Sequence, residues 1–304
     1  MNAASGVSGR VSGRVSGRVA HACAQWDLEP DPARVRWTDD TTLVVPVRPR
    51  GCAATGSARE QADLHVCEPP GDREQRHLAL RAWAGRGAAR LLAADPAASL
   101  LLVEPLLAQE PLSNRPEDEA CAVLGGLLRT LPVPAPGWAR SASQATEAAW
   151  EDLSPAAHRL PRRFVAQARA LTRDLLAGPE VDAALIPVGL RAHRVFARAH
   201  SDGTWVAAPA IPLAGEPAYA VWPALWPATR FLDDDGTPPA HLAGRLQARL
   251  GWVCHAAGIE EERARAWAIV RTVLEGPRRA GALGTAEPPD ARTTVTLLKA
   301  LQPP

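Results

Sequence analysis

The side chains in this sequence that could carry chemistry are few and loosely spaced. Five cysteines, Cys23, Cys52, Cys67, Cys121 and Cys254, are odd in number and never fall into a metal-knuckle spacing, so they predict neither a zinc site nor a disulfide framework. Cys254 and His255 are neighbours in a helical stretch and therefore point to different helix faces, which argues against a nucleophile–base pair. The acidic run Asp233 to Asp235 before Gly236 has the charge to hold a cation or a cationic amino sugar, yet its Pro/Gly-bounded setting reads as a solvated loop. Asp202, within His200-Ser201-Asp202-Gly203, reads as a turn residue. Trp222 and Trp226, four apart, read as core rather than as an aromatic platform. Scarcity is the more telling feature: Lys299 is the only lysine, and Asn2 and Asn114 are the only asparagines. A codon bias towards Ala, Arg, Gly and Pro accounts for this scarcity equally well, but the chemical consequence stands.

Any such residues need elements to position them. Short β-rich runs at 35–37, 41–47 (TTLVVPV) and 64–67 predict the strands of a small antiparallel sheet. Residues 72–84 place Leu78, Ala79, Ala82 and Trp83 at helical spacing, with Asp72 as N-cap and Gly85 and Gly87 as the stop. The run LLLVE at 100–104 predicts a buried strand that Pro105 ends. Beyond residue 116 the pattern turns helical, with helices expected at 116–131, 161–177, 239–257 and 260–275. Between them, two apolar segments at 183–188 and 205–208 predict a hairpin region embedded in the helical part. Residues 6–18 repeat Val-Ser-Gly-Arg, too poor in apolar side chains to pack, and predict a disordered tail. The expected organisation is a tail at 1–23, a β-rich N-lobe at 24–104, a helical C-lobe at 105–280 and a C-terminal tail at 281–304.

The bulk composition sets outer bounds. With 304 residues and 46% hydrophobic content the chain can bury a substantial core in two lobes or domains. A formal net charge of +1 lacks the electrostatic footprint of a nucleic-acid-binding domain. Charged residues or proline interrupt every hydrophobic segment before a membrane span is reached, and no apolar leader follows the start. A cytoplasmic monomer with reduced thiols, touching neither nucleic acid nor membrane, is expected.

A small β-lobe with one helix, a strand ending in Glu-Pro, and a helical lobe interrupted by a hairpin is the layout of the protein-kinase-like fold, an α+β architecture. The words TTLVVPVR (41–48), LRAWAGRGAARLL (80–92), LLVEPL (101–106), LPRRFV (160–165), WVAAPAIPLAGEPAY (205–219) and HAAGIEEERARAWAIVR (255–271) sit along that layout. Through them the chain, over about residues 24 to 275, resembles the aminoglycoside and hydroxyurea phosphotransferases, the streptomycin-kinase branch in particular.

The resemblance implies ATP between the lobes, with its adenine on the backbone of the connecting strand at Val103 and Glu104. It also implies a lysine on the third strand, a catalytic-loop aspartate, and an asparagine and second aspartate holding magnesium. The family loop His-Gly-Asp-Leu-His-Pro-Gly-Asn-Val-Leu aligns with Pro187 to Phe196, so Gly189 stands at the base and Arg194 at the metal-binding asparagine. The family word Ile-Asp-Pro-Lys-Pro-Leu-Val-Gly-Glu-Pro-Ala-Tyr-Asp aligns with Ala208 to Ala220, placing Pro209 at the magnesium aspartate and Ala220 at the last aspartate. His65 falls at the lysine position, within a residue or two. Arg191, His193 and Arg194 would make the cleft floor basic, with Glu216 and Tyr219 as further cleft candidates.

On this reading no catalytic residue is intact and no metal ligand is present. ATP and magnesium are expected only if the family activity survives. Three functions follow: a pseudokinase that binds a small molecule or a protein partner, an active ATP-dependent kinase acting on a hydroxyl of an antibiotic or secondary metabolite, or a repurposed cleft using His193 or His65 in non-phosphoryl chemistry.

Overall fold

The β-branched run that begins at Thr42 forms the centre of the N-terminal sheet. The computed structural model describes residues 13–39, 42–51, 61–67, 75–153, 160–199, 203–225, 242–275 and 291–303. Strands β1 (Leu28–Pro30), β2 (Arg36–Asp39), β3 (Thr42–Pro49), β4 (Ala62–Cys67), β5 (Leu91–Asp95) and β6 (Leu100–Val103) form an antiparallel sheet in the order β1-β3-β4-β6-β5, with β2 also paired to β3. The helical spacing before Gly85 gives α2 (Arg76–Trp83), which ends where Ala84 turns left-handed. Residues 72–74 of that expected helix lie outside the described residues.

Side chains alternate across this sheet. One face carries Leu43, Val45, Val47, Leu64, Val66, Leu100 and Leu102, which pack beneath α1 (Gly13–Gln25). The other carries Thr42, Val44, Asp63, His65, Cys67, Leu101 and Val103, of which Cys67, Leu101 and Val103 join the core shared with α2 and the helical lobe. Cover on both faces explains why β3 reads as a near-continuous apolar run from Leu43 to Val47.

The helix α1 corrects one expectation. Residues 13–23 are not part of a disordered tail, because a four-residue repeat lies close to the 3.6-residue helical period and stacks Val15 and Val19 on one face. Val15, Ala22 and Cys23 are buried against the sheet. Arg18 of the repeat fastens the helix by donating to the carbonyls of Ala98 (2.9 Å), Ser99 (3.2 Å) and Cys67.

The helical lobe comprises α3 (Glu117–Thr130), α4 (Ala142–Glu151), α5 (Arg162–Leu176), the short α6 (Val221–Ala224), α7 (Leu242–Ala257), α8 (Glu261–Glu275) and α9 (Ala291–Ala300). Four of these match the expected helices to within a few residues. The helix α9 corrects the expectation of a C-terminal tail: Leu297, Leu298 and Leu301 are buried, and Gln247 donates to the carbonyls of Ala300 (2.7 Å) and Gln302 (3.0 Å). Trp222 is buried as a core residue, whereas Trp226 and Asp233 to Asp235 lie outside the described residues.

The expected hairpin is present with different partners. Strands β7 (Leu106–Pro111), β10 (Val195–Arg198) and β11 (Trp205–Ala207) make one small sheet, and β8 (Val133–Pro134), β9 (Ala184–Val188) and β12 (Ile211–Gly215) make another. The segments at 183–188 and 205–208 therefore do not pair with each other. A loop at 189–194 turns the chain away after β9, so β11 pairs with its sequence neighbour β10 and β9 waits for β12, with Val188 opposite Ile211.

Candidate functional site

The two loops that cross between these small sheets meet at the cleft floor. After β9 the chain passes through Gly189, whose φ of +118° is a conformation that side-chain-bearing residues rarely adopt. It continues through Arg191, buried, into a single helical turn at Ala192–Arg194 that carries half-buried His193 and Arg194. The loop after β11 is stitched to this turn by Ala208 N–H donating to the Arg194 carbonyl at 2.9 Å. The Arg194 guanidinium then reaches back and donates from Nη2 to the carbonyl oxygen of Pro209 at 3.0 Å.

The positions where the resemblance calls for two magnesium ligands are thus in direct contact, and a guanidinium bridges them. Magnesium asks for several oxygen donors, usually one or two carboxylates. Gly189, Arg194 and Pro209 supply no side-chain oxygen, and the Pro209 carbonyl faces a cation. Among the described residues no group of three or more His, Cys, Asp or Glu is placed to hold a metal ion. The residues here do not fit magnesium.

The strand that joins the lobes has its own polar structure. Val103 is paired on both sides, to Asp63 of β4 and Leu91 of β5. Glu104 N–H donates to the Arg90 carbonyl at 3.0 Å, while the Glu104 carboxylate accepts from Arg90 N–H at 2.7 Å and lies 3.5 Å from the Arg198 guanidinium. Arg198 also donates to the Gly85 carbonyl, tying β10 of the helical lobe to the turn after α2.

Over this strand lies the polar part of the cleft-facing side of the sheet. Asp63 is 4% exposed, and its carboxylate accepts from Arg36 Nη2 at 2.9 Å. Burial raises the pKa of this carboxyl, and the neighbouring Arg36 charge and hydrogen bonds offset only part of that. His65 is two residues further along on the same face and is buried between Val44 and Leu101. Above it α2 buries Arg76, whose Nη1 is 3.4 Å from Cys67 Sγ and 3.5 Å from Thr42 Oγ1. In kinases the strand lysine pairs with a glutamate of the following helix. Here the corresponding helix aims a cation at the strand that carries a histidine.

Glu216 and Tyr219 are both held by α8. Glu216 pairs with Arg263 and accepts from Trp267 Nε1 at 2.5 Å. The Tyr219 ring meets the Trp267 ring edge-on at 4.9 Å between centroids, and Arg271 stacks on Tyr219 at 4.4 Å while donating to its carbonyl at 2.7 Å. The adjacent Cys254 and His255 separate as expected, Cys254 buried and His255 exposed. Asp202 lies outside the described residues.

Reading the sequence did not single out Asp63, Arg36 or Arg76. For Asp63 and His65 a signal was available, namely charged or polar residues at alternate positions of the apolar run ADLHVC. For Arg76 the signal is its place in the first turn of the helix that follows that strand.

A profile of the family described as "Aminoglycoside/hydroxyurea antibiotic resistance kinase" matches residues 25–281. The chain belongs to this family. Among curated members of this kinase family, it is 28% identical to a streptomycin 6-kinase of Streptomyces glaucescens over 81% of this chain and 77% of that protein. It is 32% identical to a hydroxyurea phosphotransferase of Kitasatospora aureofaciens over 77% of this chain and 64% of that protein. Solved structures agree on the fold: the choline kinase LicA of Streptococcus pneumoniae superposes with a TM-score of 0.55 at 10% identity, covering 93% of this chain and 96% of that one. The fold is thus the protein-kinase-like α+β fold expected from the layout. Among its described residues this family member has no helix long and apolar enough to cross a membrane.

Proposed function

We propose that this chain is a pseudokinase of the aminoglycoside/hydroxyurea phosphotransferase family, which keeps the two-lobed scaffold to bind a small molecule or a protein partner and does not transfer phosphate. The observation that carries this reading is the hydrogen bond from Arg194 to the Pro209 carbonyl. Phosphoryl transfer depends on positioning and on neutralising charge around the phosphates, chiefly through metal ions and their ligands. At this floor a fixed cation occupies the ground between the two ligand positions, and no carboxylate stands at Gly189 to receive the acceptor's proton. Loss of these groups removes the largest source of transition-state stabilisation that such a fold has.

An active kinase is the rival reading, and what favours it is the likeness to proteins named streptomycin 6-kinase and hydroxyurea phosphotransferase. The two are separated by incubating the full chain with Mg-ATP and either streptomycin or hydroxyurea, and following ADP release and the mass of the acceptor. ADP at the no-enzyme level and an acceptor of unchanged mass are expected. Metal-dependent ADP release with an acceptor 80 Da heavier, roughly one added phosphoryl, would establish the active kinase and end the pseudokinase reading.

A further inference from the structure

The word LRAWAGRGAARLL at 80–92 plays no part in the function proposed above. Its backbone accounts for its glycines. After α2 the chain passes through Ala84 at φ +49°, Gly85 at +78° and Gly87 at +71°, three left-handed residues within four positions. This tight turn presents its carbonyls to the helical lobe. There Arg198 of β10 donates to the Gly85 carbonyl and to the Ala88 carbonyl at 3.4 Å, and Ala207 N–H of β11 donates to the Gly87 carbonyl at 2.9 Å. The Ala207 carbonyl in turn accepts from Ala89 N–H at 2.9 Å, so Ala88 and Ala207 form a parallel β-bridge between the lobes. A Cβ at Gly87 would come within 3.2 Å of Cγ of Leu131, a buried side chain at the end of α3.

The connecting strand is caught in the same set of bonds. Glu104 N–H donates to the Arg90 carbonyl at 3.0 Å, and the Glu104 carboxylate accepts from Arg90 N–H at 2.7 Å and lies 3.5 Å from the Arg198 guanidinium. Pro105 has its φ fixed by the ring, and its carbonyl accepts from Ala199 N–H at 3.3 Å. Two lobes that swing against each other need a few residues free to absorb the backbone change. Glu104 and Pro105, where such a hinge would fall, are held by backbone, side chain and ring. On the far side of α2, Gln75 donates to the Trp138 carbonyl of the helical lobe at 2.8 Å. Opening the cleft breaks the bonds of the turn together, because Arg198 and Ala207 each take part in more than one of them.

We propose that residues 84–90 and Arg198 form a clasp that joins the two lobes into one unit, so that the cleft keeps a single aperture. The clasp also reaches the cleft floor, because Ala208, next to Ala207, donates to the Arg194 carbonyl at 2.9 Å. A fixed aperture is a property of the chain without any ligand, and it holds whether or not phosphate is transferred.

Spin labels at Arg50→Cys in the N-lobe and Trp252→Cys on α7, both exposed positions, report the distance between the lobes in the full chain. The background carries Cys52→Ser, the other four cysteines being buried. With Arg198 in place one narrow distance distribution is expected, and with Arg198→Ala a broader one that extends to longer distances. Hydrogen exchange supplies a readout on the unaltered protein, in which the Ala89 and Ala207 amides should be protected like those of β4 and α8. In Arg198→Ala these two amides should exchange roughly ten-fold faster or more, while β4 and α8 keep their wild-type rates. Gly87→Ala unseats the turn through its positive φ and the Leu131 contact without touching Arg198. It should act in the same way, and it serves if Arg198→Ala folds poorly. A broad or two-peaked distribution in wild type overturns the proposal, as do wild-type Ala89 and Ala207 amides that open far more readily than β4 and α8. A folded Arg198→Ala or Gly87→Ala with wild-type distances and exchange overturns it as well. So does equal acceleration at β4 and α8, which marks a loss of general stability rather than release of a clasp.

Discussion

Gly189 shows how far the cleft floor has settled into its own geometry. With φ at +118°, its backbone lies where a side chain is strained whatever space surrounds it, and nothing stands within 4 Å of a Cβ added there. Restoring the family's aspartate by Gly189→Asp is therefore expected to lower unfolding free energy by about 1 kcal/mol or more through backbone strain alone. Urea denaturation should register the loss, and no phosphoryl transfer should appear. An unchanged midpoint would mean that the loop relaxes freely. Arg194 and Pro209 were legible in the sequence because they sit inside contiguous words, where alignment assigns each position. The bond between them was not, since it joins loops fifteen residues apart whose approach depends on the pairing of β9 with β12 and of β10 with β11.

At the scale of elements, α3 and α7 cross closely enough that one residue decides the contact. A Cβ built on Gly125 would lie 2.5 Å from the Ala256 Cβ and 2.6 Å from the Val253 carbonyl oxygen, and the second of these is backbone that cannot swing aside. Gly125→Ala should thus destabilise by about 1–3 kcal/mol despite the better helix propensity of alanine. Gly126, with nothing within 4 Å, is the internal control, and Gly126→Ala should be neutral or stabilising. Equal effects of the two in thermal melts would refute the close crossing. Helix existence was readable from apolar spacing, but α1 was not, because its repeat is too polar to call a helix until the sheet beneath it is known. Three carbonyls, of Cys67, Ala98 and Ser99, and an apolar face, all supplied by residues far along the chain, make that segment fold.

Acid stability belongs to the whole molecule, since it sums over carboxylates that join distant parts. Burial tends to raise the pKa of Glu117, but the hydrogen bonds it accepts from Arg249 at 2.7 Å and Arg245 at 3.2 Å outweigh this and leave it lowered. A carboxyl whose folded pKa lies below its unfolded value contributes stability that is complete above the unfolded pKa, about 4.3, and is lost as pH falls through the folded one. Asp63 acts with the opposite sign: its raised folded pKa makes the native state lose stability as pH climbs from about 3.9, its unfolded value, through the folded one. Glu117→Gln should accordingly flatten the fall in unfolding free energy on the acid side of about pH 4.3. Denaturant titrations across pH 3–7 would register this, and an acid limb identical to that of wild type would exclude the Glu117 contribution.

The sequence by itself determined the two-lobed order of strands and helices and the family. These rest on short-range periodicity and on contiguous words, both of which survive without knowledge of neighbours in space. The tertiary structure decided which contacts form: Arg194 on the Pro209 carbonyl, Asp63 on Arg36, Glu216 and Tyr219 on α8, and α1 on the sheet. Each of these contacts spans a gap in sequence, and a hydrogen bond or a packed face has no counterpart in local propensity until the chain has folded both partners into reach.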